Sequence, residues 1–535
     1  DWKTERHHYE GGETRNFATY NPQVVRDQMF QLGRNASVKG NTIAPIRSTS
    51  ALVLSSTNIN REKLYIQQPP IAASGYSSQA FAPHFPHTVR KEETKTCSDC
   101  HISATNDNNA RMAQLLLHGT NFVNFIGYNA WVGGVGGVEA VQVTEWDEPQ
   151  AVIGSYLQRY AYPDWYKEHK DRNDELLASH KHSAGGSVNC IQLRGEYLFT
   201  SGGPEGFNVY DVASIANKVF SQRAITAPFS PLGHDTRVES KNATCMALPT
   251  NQAIHPPRNE GDLMRIENEE QPFHPIYNYA LITDAEEGLI LVDVNTLADG
   301  LPRNNFLKRS LTWNENNVLD GARHITIAGH IVYITTPDAL VVLDLNDPLS
   351  PQLLNRIKMN DPRASALQFR YLLVTDRDGV KIFDATSPNN IKSSPVAAVP
   401  LNDARKVYIA RTYAYVAAGK EGLAIIDVKN PEKPFINQIF TADGKINDAQ
   451  DVIVGSTNAS LFAYVADGRN GLKVIQLTAP DTQPRYYGFS PEPKPQLIAW
   501  WKTEYPALSL SLSLIHISEP TRPLYISYAV FSLKK

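Results

Sequence analysis

The stretches YAYVAAGKEGLAIIDVKNP (413–431) and FAYVADGRNGLKVIQLTAP (462–480) share one pattern: an apolar run, a turn containing glycine, and a second apolar run. Further copies of this pattern lie at 279–297, 371–388, 197–215, 332–348 and, most weakly, 129–149. A unit that recurs at intervals of roughly 40–50 residues cannot bury its apolar face alone and must stack on its neighbours. The repeat therefore governs the fold of most of this chain.

Each unit is predicted to form a strand, a tight turn and a second strand. The turn glycines sit where a hairpin needs a positive φ, which glycine adopts at low cost; they are Gly206, Gly288, Gly379, Gly422 and Gly471. Runs such as LILVDV are apolar on both faces, as in strands buried between stacked sheets. An aspartate closes most of these runs and is expected to accept hydrogen bonds from the following turn; these are Asp211, Asp293, Asp344, Asp384 and Asp427.

Regular β units of this length predict an all-β fold, a seven-bladed β-propeller of four-stranded blades over residues 120–482. Six blades remain the alternative if the copy at 129–149 is false. Residues 483–511 are expected to be a C-terminal extension. The LILVDV and LAIIDV strands resemble the LVIVD-repeat β-propeller family, and that resemblance implies the fold without implying an activity.

A second element precedes each hairpin, as in NDARKVYIA (402–410) and NDAQDVIVG (447–455). It is expected to lead into the innermost strand of each blade and to place a ring of charges near one mouth of the central channel. The ring comprises Asp320, Asp361, Asp403 and Asp448 with Arg323, Arg363, Arg405 and Gln450. Two interpretations remain open: the charges satisfy one another between blades, or they form an anion- or metal-binding mouth.

Composition excludes several classes of protein. The chain has 535 residues and a net charge of -4, which gives no sign of binding to nucleic acid or to an anionic membrane. No apolar run approaches the ~18–20 residues that span a bilayer. Four cysteines are too few for a disulfide framework. Both ends are expected to be incomplete: no leader is visible at Asp1, and residues 512–535 resemble the in-frame translation of a sequencing adapter.

ETKTCSDCHIS (93–103) holds two of the four cysteines. A C-x-x-C pair serves half of a zinc site, a thiol–disulfide switch, or covalent haem attachment. Four-cysteine zinc binding would need a second pair at similar spacing, whereas Cys190 and Cys245 lie in separate predicted strands as small core residues, free or bridged. A thioredoxin-like switch expects the motif to open a helix, and these surroundings have the composition of a loop.

The histidine after the second cysteine favours haem. In C-x-x-C-H the thiols of Cys97 and Cys100 form thioethers with the haem vinyl groups, and His101 becomes the proximal axial ligand. The segment PHTVRKEETKTCSDCHISATNDNNARMAQLL (86–116) also resembles haem-bearing regions of multihaem c-type cytochromes fused to LVIVD propellers. That resemblance implies haem c as a cofactor within an irregular N-terminal segment, residues 1–119.

A distal axial ligand must come from elsewhere in the chain. His87 is the expected ligand and His84 the second, because the loop between them and Cys97 is long enough to fold back over the haem. Other side chains considered are His118, His180, His182 and, less favoured, Met112. His7 and His8 are expected either to ligate a further haem on a missing N-terminal part or to belong to a frayed terminus.

Three functions follow for comparison. The first is electron transfer by a c-type cytochrome whose propeller docks a redox partner protein, in the periplasm or at the cell surface of a bacterium. The second is a haem-dependent oxidoreductase that acts at the channel mouth, although no catalytic motif specifies its chemistry. The third is a surface binding scaffold without haem. The sequence does not decide whether the chain is an enzyme.

Overall fold

A computed structural model describes the chain in several ranges. It gives the backbone of five strands between residues 4 and 66, and residues 129–145, 151–183, 185–194, 197–211, 236–249, 275–294, 297, 307–457, 460–483 and 490–512. Seven four-stranded antiparallel sheets make up the part after residue 128. The predicted seven-bladed propeller is therefore confirmed, and the six-bladed alternative is wrong.

The first three blades are described from their innermost to their outermost strand. Blade 1 contains β33 (Ala507–Leu512), β6 (Asn129–Gly134), β7 (Gly137–Gln142) and β8 (Leu177–Ser183). Blade 2 contains β9 (Cys190–Arg194), β10 (Tyr197–Ser201), β11 (Phe207–Asp211) and β12 (Arg237–Val238). Blade 3 contains β13 (Ala243–Ala247), β14 (Tyr279–Asp284), β15 (Gly288–Asp293) and β16 (Lys308–Trp313).

The other four blades, like blades 2 and 3, are each built from four consecutive strands. Blade 4 contains β17 (His324–Ala328), β18 (Ile331–Thr335), β19 (Ala339–Asp344) and β20 (Gln352–Lys358). Blade 5 contains β21 (Ala364–Gln368), β22 (Tyr371–Asp376), β23 (Gly379–Asp384) and β24 (Ala397–Pro400). Blade 6 contains β25 (Val407–Ala410), β26 (Tyr413–Ala417), β27 (Leu423–Asp427) and β28 (Phe435–Phe440). Blade 7 contains β29 (Asp451–Thr457), β30 (Ser460–Ala466), β31 (Leu472–Gln476) and β32 (Gln496–Trp501).

The seven innermost strands form a closed ring. Each one contacts the innermost strand of the next blade, in the order β9, β13, β17, β21, β25, β29, β33 and back to β9. The middle strands supply the apolar cores between blades: β26, for instance, is buried along its whole length. The seven sheets therefore form a closed ring, in which every blade packs against a neighbour on both sides.

The propeller ends later than the repeats predicted. Residues 496–501 and 507–511 were expected to lie in a C-terminal extension. Residues 496–501 are instead the outermost strand of blade 7, and residues 507–512 are the innermost strand of blade 1. In the closing strand Leu510 pairs with Val132 and Leu512 with Ala130. The physical reason is closure, since blade 1 lacks an innermost strand unless the C-terminal part of the chain supplies it. Leu512, assigned above to the adapter-like tail, therefore belongs to the propeller, and residues 513–535 lie outside the described residues.

The predicted turn chemistry is confirmed at the five glycines and at three of the five aspartates. All five turn glycines have positive φ, and at Gly471 (φ 75°) a Cβ atom would also lie 2.1 Å from the Trp501 carbonyl oxygen. Asp344, Asp384 and Asp427 each accept a hydrogen bond from the backbone N–H two residues on, at 2.7, 3.0 and 2.8 Å respectively. These bonds end the third strand of blades 4, 5 and 6 in the same way.

A helical insertion lies between the last two strands of blade 1. It contains α1 (Tyr156–Ala161) and α2 (Pro163–Asp171), and we call residues 151–176 the clasp. The clasp bonds to blade 7: the N–H of Leu176 donates to the Trp500 carbonyl at 2.8 Å, and the N–H of Trp500 donates to the Asp174 carbonyl at 3.0 Å. It therefore joins the two blades at which the ring closes.

The N-terminal segment, expected to be irregular, contains five strands. β1 (Thr4–His8) pairs with β2 (Thr14–Ala18), and β3 (Tyr20–Arg34), β4 (Ile43–Thr57) and β5 (Lys63–Ile66) form a three-stranded sheet. Five β-branched residues, which favour extended backbone, are spread along β4, and this local preference was overlooked; they are Ile43, Ile46, Thr49, Val53 and Thr57. His7 and His8 lie in β1.

Candidate functional site

The predicted haem-attachment motif lies outside the described residues. This applies to Cys97, Cys100 and His101, to both expected distal ligands, His84 and His87, and to Met112 and His118. Their roles remain predictions. The described residue that follows this part of the chain most closely is Asn129, the first residue of β6.

Two other histidines considered as ligands lie on β8, the outermost strand of blade 1. His180 pairs with Ala140 and His182 with Val138. The His182 ring packs edge-on against Tyr210 of blade 2, with ring centroids 5.2 Å apart, and burial lowers its pKa. His182 is thus part of the contact between blades 1 and 2.

The remaining cysteines form a disulfide, which selects one of the two states left open above. Cys190 and Cys245 are bonded, with Cα atoms 4.9 Å apart. They begin or lie within the innermost strands of blades 2 and 3, so the bond links neighbouring blades beside the central channel. These two sulfur atoms are consequently engaged with each other.

The charges expected at the channel mouth pair between blades. Each arginine bonds to the aspartate of the next blade: Arg323 to Asp361 at 2.5 Å, Arg363 to Asp403 at 2.5 Å, and Arg405 to Asp448 at 3.1 Å. Gln450 ends the series by donating to Asp448 at 2.7 Å. Asp320 does not join; it accepts a hydrogen bond from Asn314 instead. The series of bonds supports the first of the two interpretations, that these groups satisfy one another, for every member of the ring except Asp320.

The electrostatics of this series follow from its geometry. Burial alone would raise the pKa of Asp361, but hydrogen bonds and charge from Arg323 and Arg363 outweigh it and lower the pKa. The pKa of Asp403 is lowered for the same reasons by Arg405 and Arg363. Both carboxylates therefore remain charged near neutral pH and hold three blades together.

A second layer of side chains lies one residue further along each innermost strand, in the position that follows Arg323, Arg363, Arg405 and Gln450. We call it the channel layer, and its members are Cys190, Cys245, His324, Ala364, Lys406, Asp451 and Ser509. The next residues, such as Ile325, Val452 and Leu510, are buried between blades. Lys406 interacts electrostatically with both His324 and Asp451, although the three residues belong to blades 6, 4 and 7, so this layer lies around the central channel.

Three members of the channel layer titrate, and they interact. His324 accepts a hydrogen bond from the Ser365 N–H at Nδ1 (3.3 Å), and burial together with the charge of Lys406 keeps its pKa well below the usual value. Asp451 accepts from the Leu510 N–H (3.1 Å); burial raises its pKa, and Lys406 opposes that shift. The channel thus holds a neutral imidazole, a lysine and a buried carboxyl group.

Sequence reasoning missed the channel layer, although a signal for it was present. The strings ARH, PRA, ARK and AQD (322–324, 362–364, 404–406 and 449–451) occupy the same place in four consecutive repeats. Only the ring closure shows that their last residues face one channel. Among the described residues, no group of three or more His, Cys, Asp or Glu side chains could hold a metal ion, and no helix is long and apolar enough to cross a membrane.

The ring of seven four-stranded sheets defines a β-propeller, and two of its blades carry a recognised repeat. Residues 402–441 and 448–480 match the LVIVD repeat; they cover blade 6 and the first three strands of blade 7. No curated protein sequence matches the chain.

Among solved structures, a protein from Lactobacillus plantarum is 8% identical over 71% of this chain and 98% of its own, with a TM-score of 0.45. The computationally designed Ika8 protein is 8% identical over 84% and 97%, with a TM-score of 0.36. BamB from Moraxella catarrhalis is 9% identical over 62% and 80%, with a TM-score of 0.35. Similarity at this level carries no functional information.

Proposed function

We propose that this chain is a c-type cytochrome-like electron-transfer protein, with one covalent haem on its N-terminal segment and a propeller that serves as a scaffold for docking redox partners. The observation that carries the proposal is the pentapeptide CSDCH, residues 97–101. Haem bound there supplies one-electron redox chemistry. The chain's own residues would attach the haem through Cys97 and Cys100 and ligate its iron through His101.

The donor set of the motif fits this role. Two thiols separated by two residues match the two vinyl groups, and the adjacent imidazole of His101 can ligate iron from one side. A four-cysteine zinc site is disfavoured because Cys190 and Cys245 are bonded to each other and both lie in the propeller core. Cys97 and Cys100 are then the two thiols left for a cofactor.

The disulfide also supports a location outside the cytoplasm. Structural disulfides persist in oxidising compartments and are rare where thiols are kept reduced. Covalent haem attachment in bacteria takes place across the energy-transducing membrane as well. We therefore place the mature protein in the periplasm, at the cell surface or outside the cell.

Whether the haem iron has a free coordination position distinguishes electron transfer from catalysis. His87 is proposed as the distal ligand and His84 as its substitute, which leaves no open position for a small substrate. The oxidoreductase alternative would use the channel mouth, but there the acids and arginines of blades 4 to 7 already bond to one another. Electron transfer is accordingly the better supported of the two.

The proposal is tested by exporting the full chain from cells that carry the cytochrome c maturation machinery and measuring its intact mass. We expect the added mass of one haem per chain and a pyridine haemochrome spectrum. Cys97→Ala combined with Cys100→Ala should abolish the added mass. Cys190→Ser combined with Cys245→Ser is the matched control and should keep it, because those two sulfurs are bonded to each other within the propeller.

Other outcomes of the same experiment would contradict the proposal. Wild-type protein without haem mass but with stoichiometric zinc would make CSDCH a metal site. Wild-type protein with neither haem nor zinc would favour the function of a haem-free scaffold. If the reduced wild type binds carbon monoxide as readily as His87→Ala and His84→Ala, the iron has an open position and the oxidoreductase function is favoured.

A further inference from the structure

A small cavity lies between the clasp and the outer part of blade 1. Its volume is about 160 Å³. The buried side chains of Ile153 and Leu176 form its apolar floor, since each is no more than 5% exposed. Polar side chains, those of Gln142, Glu145 and Glu168, stand at its more exposed edge.

One face of α2 supplies an aromatic wall and two charges. Trp165, Glu168 and Arg172 are spaced i, i+3 and i+7, so they project from the same side of the helix and its C-terminal end. Gln142, the last residue of β7, and Glu145, which follows that strand, also line the cavity. The Glu145 carboxylate accepts from the Gln158 side chain, and the Gln142 amide donates to the Thr144 carbonyl at 3.0 Å. The cavity therefore combines an indole, the Glu168 carboxylate and the Arg172 guanidinium group with two polar groups that already have protein partners.

The wall is held in place before any ligand arrives. Trp165 stacks on Tyr162 with centroids 4.5 Å apart and ring planes 13° apart. On another face of α2, fully buried His169 bonds through Nε2 to the Ile498 carbonyl of blade 7 at 2.9 Å. Binding would thus immobilise little that is not already ordered, which favours affinity.

We propose that this cavity binds a single neutral pyranose ring. An apolar floor with an aromatic wall suits the C–H face of a sugar, and planar carboxylate, amide and guanidinium groups suit its hydroxyls, which both donate and accept hydrogen bonds. The volume is well below the ~300–1,000 Å³ of sites for drug-sized ligands, so one ring is admitted and not several. The two carboxylates disfavour an anionic sugar. This inference does not depend on the haem.

The test uses saturation-transfer NMR on the full chain, with or without haem, and methyl glycosides of glucose, galactose and mannose, N-acetylglucosamine, and choline chloride as a cationic probe. We expect transfer from the protein to at least one pyranose and none to choline. Trp165→Ala should lower the affinity for that sugar at least tenfold. Tyr160→Ala removes an exposed aromatic ring of α1 that does not line the cavity, and it should change the affinity less than twofold.

Because Trp165→Ala removes a stacking partner, Arg172→Ala provides a second variant. Arg172 is exposed, so its loss should leave the fold intact while it weakens sugar binding at least fivefold. The proposal is overturned if no pyranose shows transfer, or if binding is equal in wild type, Trp165→Ala and Arg172→Ala. Transfer to choline that Glu168→Gln abolishes, without transfer to any sugar, would instead assign the cavity to a cationic ligand.

Discussion

His169 shows how a single residue of the clasp in blade 1 bonds to blade 7. Its Nε2–H donates to the Ile498 carbonyl, so the neutral ring carries its proton there, and Nδ1 is buried without a hydrogen-bond partner. Burial lowers the pKa of His169; the carbonyl and Asp174 oppose that shift, whereas Lys170 and Arg172 add to it. At Gly154 a Cβ atom would lie 2.9 Å from Nε2, so only glycine admits the ring there.

This environment predicts a pH dependence of stability. A histidine whose pKa is lower in the folded than in the unfolded state contributes stability above about pH 6.5, and that stability is lost as pH falls towards the folded pKa. The free energy of unfolding, measured by urea denaturation, should therefore fall more steeply between pH 7 and pH 5 in wild type than in His169→Gln. The slope attributable to one proton is about 1.4 kcal/mol per pH unit. Parallel curves for the two proteins would show that His169 does not carry this dependence.

At the scale of elements, the blades are joined by repeated close contacts. Gly468 in the blade 7 hairpin approaches the Asp448 carboxylate so closely that a Cβ atom would lie 2.0 Å from Oδ2. The carbonyl of Gly468 also accepts from the N–H of Ala507 in the closing strand at 2.8 Å. This hairpin therefore contacts both Asp448, one of the charged residues at the channel mouth, and the closing strand β33.

Gly468→Ala should consequently destabilise the propeller more than a glycine substitution elsewhere. Gly329→Ala is the matched control: its φ is 66° against 47° at Gly468, yet no atom lies within 4 Å of the added Cβ. In the control, the strain of a left-handed alanine alone should lower the free energy of unfolding by about 1–2 kcal/mol. Gly468→Ala should add about 1–3 kcal/mol for displacing Asp448. Equal unfolding free energies for the two variants would mean that the contact is not tight.

The limits of sequence reasoning also appear at this scale. Hairpin glycines and strand-ending aspartates could be predicted because their geometry depends on a few neighbouring residues, as at Gly422 and Asp427. The closing strand could not, because ALSLSL (507–512) pairs with residues nearly four hundred positions earlier. His324, Lys406 and Asp451 meet only once the ring is closed, so the channel layer was beyond local patterns.

For the whole molecule, ring closure depends on the C-terminal strand. β33 buries Ala507, Leu510 and Leu512, and its N–H groups reach neighbouring blades, as at Leu510 to Asp451. Ser511 accepts from the Leu193 N–H of blade 2 at 2.9 Å. Blade 1 is therefore held by both ends of the propeller chain, and the clasp adds a second connection to blade 7 at the rim.

Two truncations test this closure. Ending the chain after Leu512 removes only residues 513–535, which we expect to derive from an adapter, and should leave the unfolding free energy unchanged within error. Ending it after Pro506 also removes β33 and should cost more than about 4 kcal/mol or abolish cooperative unfolding, because a buried strand and its contacts with three blades are lost. Circular dichroism and tryptophan fluorescence during denaturation measure both.

Closure by β33 would be contradicted if the chain ending at Pro506 had the same unfolding free energy as the chain ending at Leu512. A loss above about 2 kcal/mol in the longer truncated chain would show instead that the tail packs on the fold.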